Sequence, residues 1–173
     1  MAELYLIPNG PSPTTAAQVA VTTGTAIKTM LQVKMNALAT NRAKVVEWGI
    51  SFDGSVGATP INCELLCTGA VQATVTEHLA AGIINLDPSA AAPTDDNPFA
   101  FGAAGDETGY TATAEGTITV TRMFDTQFIA PTNQYVKQWP LGREPMFKSN
   151  EFLRIRVTAG AAVNCLCYVI IEV

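Results

Sequence analysis

Glu151-Phe152-Leu153-Arg154-Ile155-Arg156-Val157-Thr158-Ala159-Gly160-Ala161-Ala162-Val163-Asn164-Cys165-Leu166-Cys167-Tyr168-Val169-Ile170-Ile171-Glu172-Val173 closes the sequence, and its alternation decides the fold class. Leu153, Ile155 and Val157 fall on one face of an extended segment, and Phe152, Arg154 and Arg156 on the other, the period-2 signature of a strand. Val163 to Val173 repeats the pattern, with Val163, Cys165, Cys167, Val169, Ile171 and Val173 opposed by Asn164, Leu166, Tyr168, Ile170 and Glu172. Between them, Thr158 to Ala162 is a short connection of small residues. Read locally, the two strands make a hairpin, with Val157 beside Val163, Ile155 beside Cys165 and Leu153 beside Cys167 on the inner face. Its outer face pairs Arg156 with Asn164, Arg154 with Leu166, and Phe152 with Tyr168. With Ile170 added, that outer face carries too many large apolar groups to be simply solvated. It needs a cover, either a second layer of this chain or another subunit.

Working back from there, Lys44–Phe52 is the strongest interior strand, with Val46, Trp48, Ile50 and Phe52 on one face and Glu47, Gly49 and Ser51 on the other. Asp53-Gly54 then supplies a turn that tolerates positive φ. Ile61–Cys67 and Ala26–Met35 alternate in the same way, and Thr117–Phe124 resumes the pattern late in the chain. Shorter strands are expected at Glu3–Ile7, Gln18–Thr22, Val71–Thr76, Ile83–Leu86 and Tyr135–Leu141, with one helical turn at Glu77–Ala81. Pro8, Pro11 and Pro13 break the chain after the first of these, so residues 1–17 read as a strand followed by an arm. Residues 87–116 form a long insertion rich in Ala, Gly, Pro, Thr and Asp, whose aromatics are Phe99, Phe101 and Tyr110. A loop of that length is usually functional or an arm, and Phe99 and Phe101 are expected to anchor it to this subunit or to a neighbour. Eight to ten short strands with many Gly/Pro turns and no amphipathic helix imply an all-β, antiparallel, jelly-roll-like β-sandwich. At 173 residues it is a single domain, 1–173.

Of the residues, 48% are hydrophobic and 14% are charged, so the chain can build both a core and an apolar association surface. No apolar run approaches the ~18 residues that cross a membrane. Met1-Ala2-Glu3-Leu4-Tyr5 shows no basic stretch leading into an apolar one, so the expectation is a protein made in a cytoplasm. A net charge of −5 argues against a nucleic-acid partner. From Val45 to Thr121 there is no Lys or Arg but ten acids, while six of the ten basic residues lie between Arg122 and Arg156. If these blocks map onto surfaces, the molecule has an acidic and a basic part that attract one another in an assembly.

Candidate chemistry is sparse. His78 beside Glu77 has no Ser or Cys context that would make a triad. Cys63 and Cys67 have a spacing seen in zinc pairs, yet on a strand they stand ~13 Å apart. Cys165 and Cys167 lie ~6.6 Å apart in the most apolar strand. All four read as small buried hydrophobes kept reduced, with a cross-strand disulfide between the two pairs as the alternative. Asp95-Asp96-Asn97 and Asp106-Glu107 lack calcium-loop spacing, and Gly102-Ala103-Ala104-Gly105 is a weak phosphate-loop signal. Trp48 belongs to an apolar strand face, whereas Trp139 beside Pro140 reads as a contact residue. No catalytic, cofactor-binding or metal-ligating residue is assigned, and no cofactor is expected.

The strand and turn Val45-Val46-Glu47-Trp48-Gly49-Ile50-Ser51-Phe52-Asp53-Gly54, the passage from Glu144-Pro145 to Phe152-Leu153-Arg154-Ile155-Arg156-Val157, and the Val-rich terminal strand resemble those of tailed-bacteriophage head proteins. The class they resemble is the small capsid decoration (cement) or minor capsid proteins. That resemblance implies a β-sandwich subunit, often trimeric, that binds the major capsid protein on the outside of the virion and reinforces the shell against internal DNA pressure, after assembly in the host cytoplasm. It carries over no catalytic residues. The contact candidates are Phe99, Phe101, Trp139, Phe152, Arg154, Leu166, Tyr168 and Ile170, with the Pro-rich arm. The alternative is a carbohydrate- or receptor-binding β-sandwich such as a head fibre or lectin-like module. That reading needs exposed aromatics converging in a groove, with Trp139 or Tyr110 as candidates.

Overall fold

The computed structural model describes residues 2–11, 15, 17–36, 42–55, 59–94, 97–102 and 108–173. Their strands are β1 (Leu4–Pro8), β2 (Val21–Thr22), β3 (Ile27–Lys34), β4 (Arg42–Phe52), β5 (Ile61–Cys67), β6 (Thr74–Glu77), β7 (Ile84–Asn85), β8 (Gly109–Ala114), β9 (Arg122–Ile129), β10 (Gln134–Gln138), β11 (Met146–Lys148), β12 (Phe152–Thr158) and β13 (Asn164–Glu172). They form two antiparallel sheets packed face to face. Sheet A has the order β10-β4-β13-β1-β7, with β11 also on β4 and β2 on β13; sheet B has the order β6-β8-β3-β12-β5-β9. The two strands that the sequence reading did not place are β8, which forms inside the expected loop, and the three-residue β11, too short for side-chain periodicity to announce.

The closing hairpin does not form. β12 lies in sheet B between β3 and β5, with Leu153 opposite Val33 and Cys67. β13 lies in sheet A between β4 and β1, with Cys167 opposite Ile50 and Val169 opposite Ile7. Thr158 to Val163 therefore arches from one sheet to the other. The faces were read correctly: Leu153, Ile155, Val157, Cys165, Cys167, Val169 and Ile171 are all buried in the shared core. They meet across the sandwich instead of along a ladder. Each strand gains two long hydrogen-bonded neighbours this way, where a hairpin would have used one edge of each on the other.

Two further details depart from the sequence reading. In β4 the core residue is Val45, not Val46, because the pairing steps from Ile170↔Glu47 to Ile171↔Val45 and leaves Val46 as the extra residue of a bulge. Residues 87–116 are not loop throughout: β8 forms from Gly109, and Tyr110 pairs opposite Leu31. Phe99 and Phe101 are buried in this subunit's own core, where Phe99 meets Tyr5 edge-on at 5.2 Å. That burial removes both from the list of contact residues. The helical turn is a 3-10 turn at Ala80–Gly82, and Glu77 belongs to β6. Residues 117–121 precede β9 rather than opening it, and β9 runs on through Phe128 and Ile129.

The outer face of β12 in sheet B is covered by the chain itself, whereas Met123 and Phe128 of the edge strand β9 stay exposed. Phe152 and Arg154 are buried there, so they too leave the contact list. Arg154 Nη1 donates to the Glu115 carbonyl at 3.0 Å and to its carboxylate at 3.3 Å, and Nη2 donates to the Val71 carbonyl. Glu115 also accepts from the Thr29 backbone N–H and hydroxyl. Burial pulls the Arg154 guanidinium down to about 10, against the Glu115 charge that raises it, so it stays charged at neutral pH. Truncating one member of such a pair leaves the other charge uncompensated. Arg154→Ala is therefore expected to lower the unfolding free energy by ~3–5 kcal/mol, read from urea denaturation.

Candidate functional site: the outer face of sheet A

Sheet A's outer face has no such cover among the described residues. The outward residues of β13 (Leu166, Tyr168, Ile170) stand beside those of β1 (Leu4, Leu6, Pro8), and all are half-buried or, for Leu4, exposed. Ile84 of β7 and Val136 of β10 flank them. A groove of about 390 Å³ crosses this face, lined by Leu6, Pro8, Ile84, Val136, Leu166 and Tyr168 together with the polar Gln18, Ser51 and Gln134, and no charged residue lines it.

Its floor is set by Gly49. Tyr168 lies opposite Gly49 in the ladder, and a Cβ at position 49 would collide with the Tyr168 ring. The missing side chain lets that ring settle on the β4 backbone, with the Tyr168 hydroxyl donating to Glu47 Oε1 at 2.5 Å. Burial first, then the Glu47 carboxylate, pushes the phenol up to about 12, so the ring is neutral under ordinary conditions. Gln18 also lines the groove, and its Nε2 is buried with no hydrogen-bond partner among the described residues. The groove is therefore largely apolar, and the Glu47 carboxylate lies just beyond its lining, at the Tyr168 hydroxyl.

The other sequence candidates are dispersed. Trp139 is half-buried against the core beside β4, with Lys137 Nζ 5.2 Å from its ring centre. Tyr110 sits in β8 of sheet B, its ring 5.0 Å from that of His78. Trp139 follows β10 at the edge of sheet A and Tyr110 lies in sheet B, so the two aromatics do not share a groove. All four cysteines are buried and unpaired, and desolvation pushes the Cys63, Cys67 and Cys167 thiols up, which keeps them protonated. Among the described residues no three His, Cys, Asp or Glu side chains are placed to hold a metal ion, and no helix is long and apolar enough to cross a membrane. Asp95, Asp96, Ala103, Ala104, Gly105, Asp106 and Glu107, and Ser12 and Pro13 of the arm, lie outside the described residues.

The fold interleaves the charge blocks of the sequence. Arg154 and Arg156 pair with Glu115 and Glu64 of the acidic block, at 3.3 and 2.7 Å. Lys137 pairs at 3.1 Å with Asp125, a buried carboxylate that also accepts from Trp48 Nε1 and the Tyr135 hydroxyl and so ties the edges of the two sheets together. Opposite charges thus meet inside one subunit because their strands are neighbours, and separate acidic and basic surfaces do not follow. What sequence reading missed at the site was Leu4, Leu6, Pro8, Ile84 and Val136. Their only signal was membership of the second, non-core face of strands too short to show it.

Comparison with protein-family models, with curated proteins and with solved structures returned no match.

Gly49→Ala should destabilise by about 1–3 kcal/mol, the usual cost of overpacking. Tyr168→Ala in the same chain should recover part of that loss, read as coupling in a double-mutant cycle of urea midpoints. His78 gives a pH prediction. It is buried, with Nε2 2.7 Å from the Pro8 carbonyl, where it donates as the neutral tautomer. Burial lowers its pKa from 6.5 to about 4, against the Pro8 bond that raises it. The unfolded chain takes up that proton near pH 6.5 and the folded one only near 4. Stability from this residue is therefore whole above pH 6.5, falls as pH drops through that window, and is lost below it, a total of about 3 kcal/mol. His78→Gln should show a smaller loss of urea midpoint between pH 7 and pH 4 than the wild type.

Proposed function

We propose that this chain is a structural virion protein, a decoration or minor capsid subunit that binds the major capsid protein on the outside of a bacteriophage shell as a homo-oligomer, with a trimer favoured. The observation that carries this reading is the uncharged apolar face of sheet A. A subunit that must be soluble before assembly and held by contact afterwards needs such a face, and apolar patches rimmed by polar groups mark association surfaces. Leu166, Tyr168 and Ile170 remain its contact residues from the sequence list. The mechanism is stabilisation by area. Each copy removes a standard ~1,600 Å² of combined surface from water, and symmetric repetition over the shell multiplies a modest single-site affinity. The arch supports the role mechanically, because β12 and β13 sit centrally in their own sheets and a load on either sheet reaches the core.

The test is co-sedimentation with capsids that lack the protein. Wild type should pellet with the shells and raise the temperature at which they open, and Leu166→Asp should not pellet. Because no charge lines the groove, binding should persist from about 0.05 to about 0.5 M salt, where exposed ion pairs are screened. Absence of wild-type protein from the capsid pellet would sink this reading.

A further inference from the structure

The groove on sheet A has a counterpart on the same chain. Pro140-Leu141-Gly142-Arg143 is a tight turn closed by the Arg143 N–H donating to the Pro140 carbonyl at 2.9 Å, with Gly142 at φ 81°. Positive φ at the third position defines a type II turn, a conformation glycine adopts without steric cost. Leu141 stands at the tip and is 91% exposed, the most open large apolar side chain among the described residues. A lone exposed leucine needs no explanation. This one is held out on a pre-ordered turn, so burying it costs little further backbone entropy.

We propose that the sheet A groove of one copy receives the Leu141 turn of a second copy. This inference rests on the reading of an assembling subunit and assigns the groove to the contact between copies, leaving the part of the sheet A face outside the groove, with Leu4 and Ile170, to the capsid. Charge complementarity favours this occupant. The tip is uncharged, like the groove lining, and the cation Arg143 follows it by two residues. Arg143 is exposed and has no carboxylate partner among the described residues. Glu47, reached by the Tyr168 hydroxyl at one end of the groove, likewise has no cation partner among them. Two residues of chain span at most about 7 Å, so Leu141 seated beside Tyr168 carries Arg143 to Glu47. Turn and groove are different patches of one surface, so the contact is heterologous and runs head to tail. Such contacts close into rings when the rotation permits.

The experiment measures native mass across a concentration series, together with site-directed crosslinking of the full chain. Wild type should exceed the 18.3 kDa monomer mass. Leu141→Asp, a change on an exposed turn, should run as a folded monomer. Leu141→Cys combined with Val136→Cys should give covalent multimers under mild oxidation, while neither single variant gives a species beyond the dimer. The native cysteines are buried and do not compete. A wild type that stays monomeric at every concentration, an oligomer indifferent to Leu141→Asp, or a double variant that forms no multimers would each overturn the inference. The capsid pellet separates the two ideas. Monomers that bind shells through Leu166 would leave the capsid reading standing and assign the groove to the capsid protein. Leu141-dependent rings that ignore capsids would do the reverse.

Discussion

β12 and β13, neighbours in sequence, face each other across the core, and most of the architecture follows from that separation. Each becomes a central strand, hydrogen-bonded on both edges, so β3 and β5 are recruited to one sheet and β4 and β1 to the other. The inner faces supply much of the shared core through Leu153, Ile155, Val157, Cys165, Cys167, Val169 and Ile171. Thr158 to Val163, rich in small residues, makes the crossing. Ala159 is buried in the arch and belongs to the shared core.

Once the strands are apart, their outer faces meet different fates. That of β12 carries Arg154, and a buried guanidinium is tolerable only with a counter-charge and acceptors. The segments around Val71 and Glu115 supply both and cover β12 as they do so. The outer face of β13 carries Leu166, Tyr168 and Ile170, which ask for no polar partner beyond Glu47. No comparable segment of the described chain is drawn over them. The middle of one sheet therefore has an internal cover held by a charge pair, and the middle of the other has an apolar surface shaped by Gly49 and Tyr168. The asymmetry is the physical basis for reading sheet A as the associating side.

The sequence was informative wherever alternation ran long. Trp48, Ile50 and Phe52 of β4, Ile61 to Cys67 of β5 and both closing strands were assignable because one-sided burial with period 2 leaves a clear pattern. It was silent on the bulge at Val46, where a single unpaired residue shifts the register and moves the core contact to Val45. It was equally silent on the groove, which is assembled from one or two residues of each of several strands.

What the sequence alone determined was the class of fold and the inward face of each long strand, because hydrophobic burial acts locally and side-chain alternation records it. Only the tertiary structure decided which sheet each strand joins. Burial is non-directional, so the same alternation serves a hairpin ladder and a sandwich core equally well. The choice between them lies in backbone hydrogen bonds to strands more than a hundred residues away, as in the pairing of Tyr5 with Ile171 and Ile50 with Cys167.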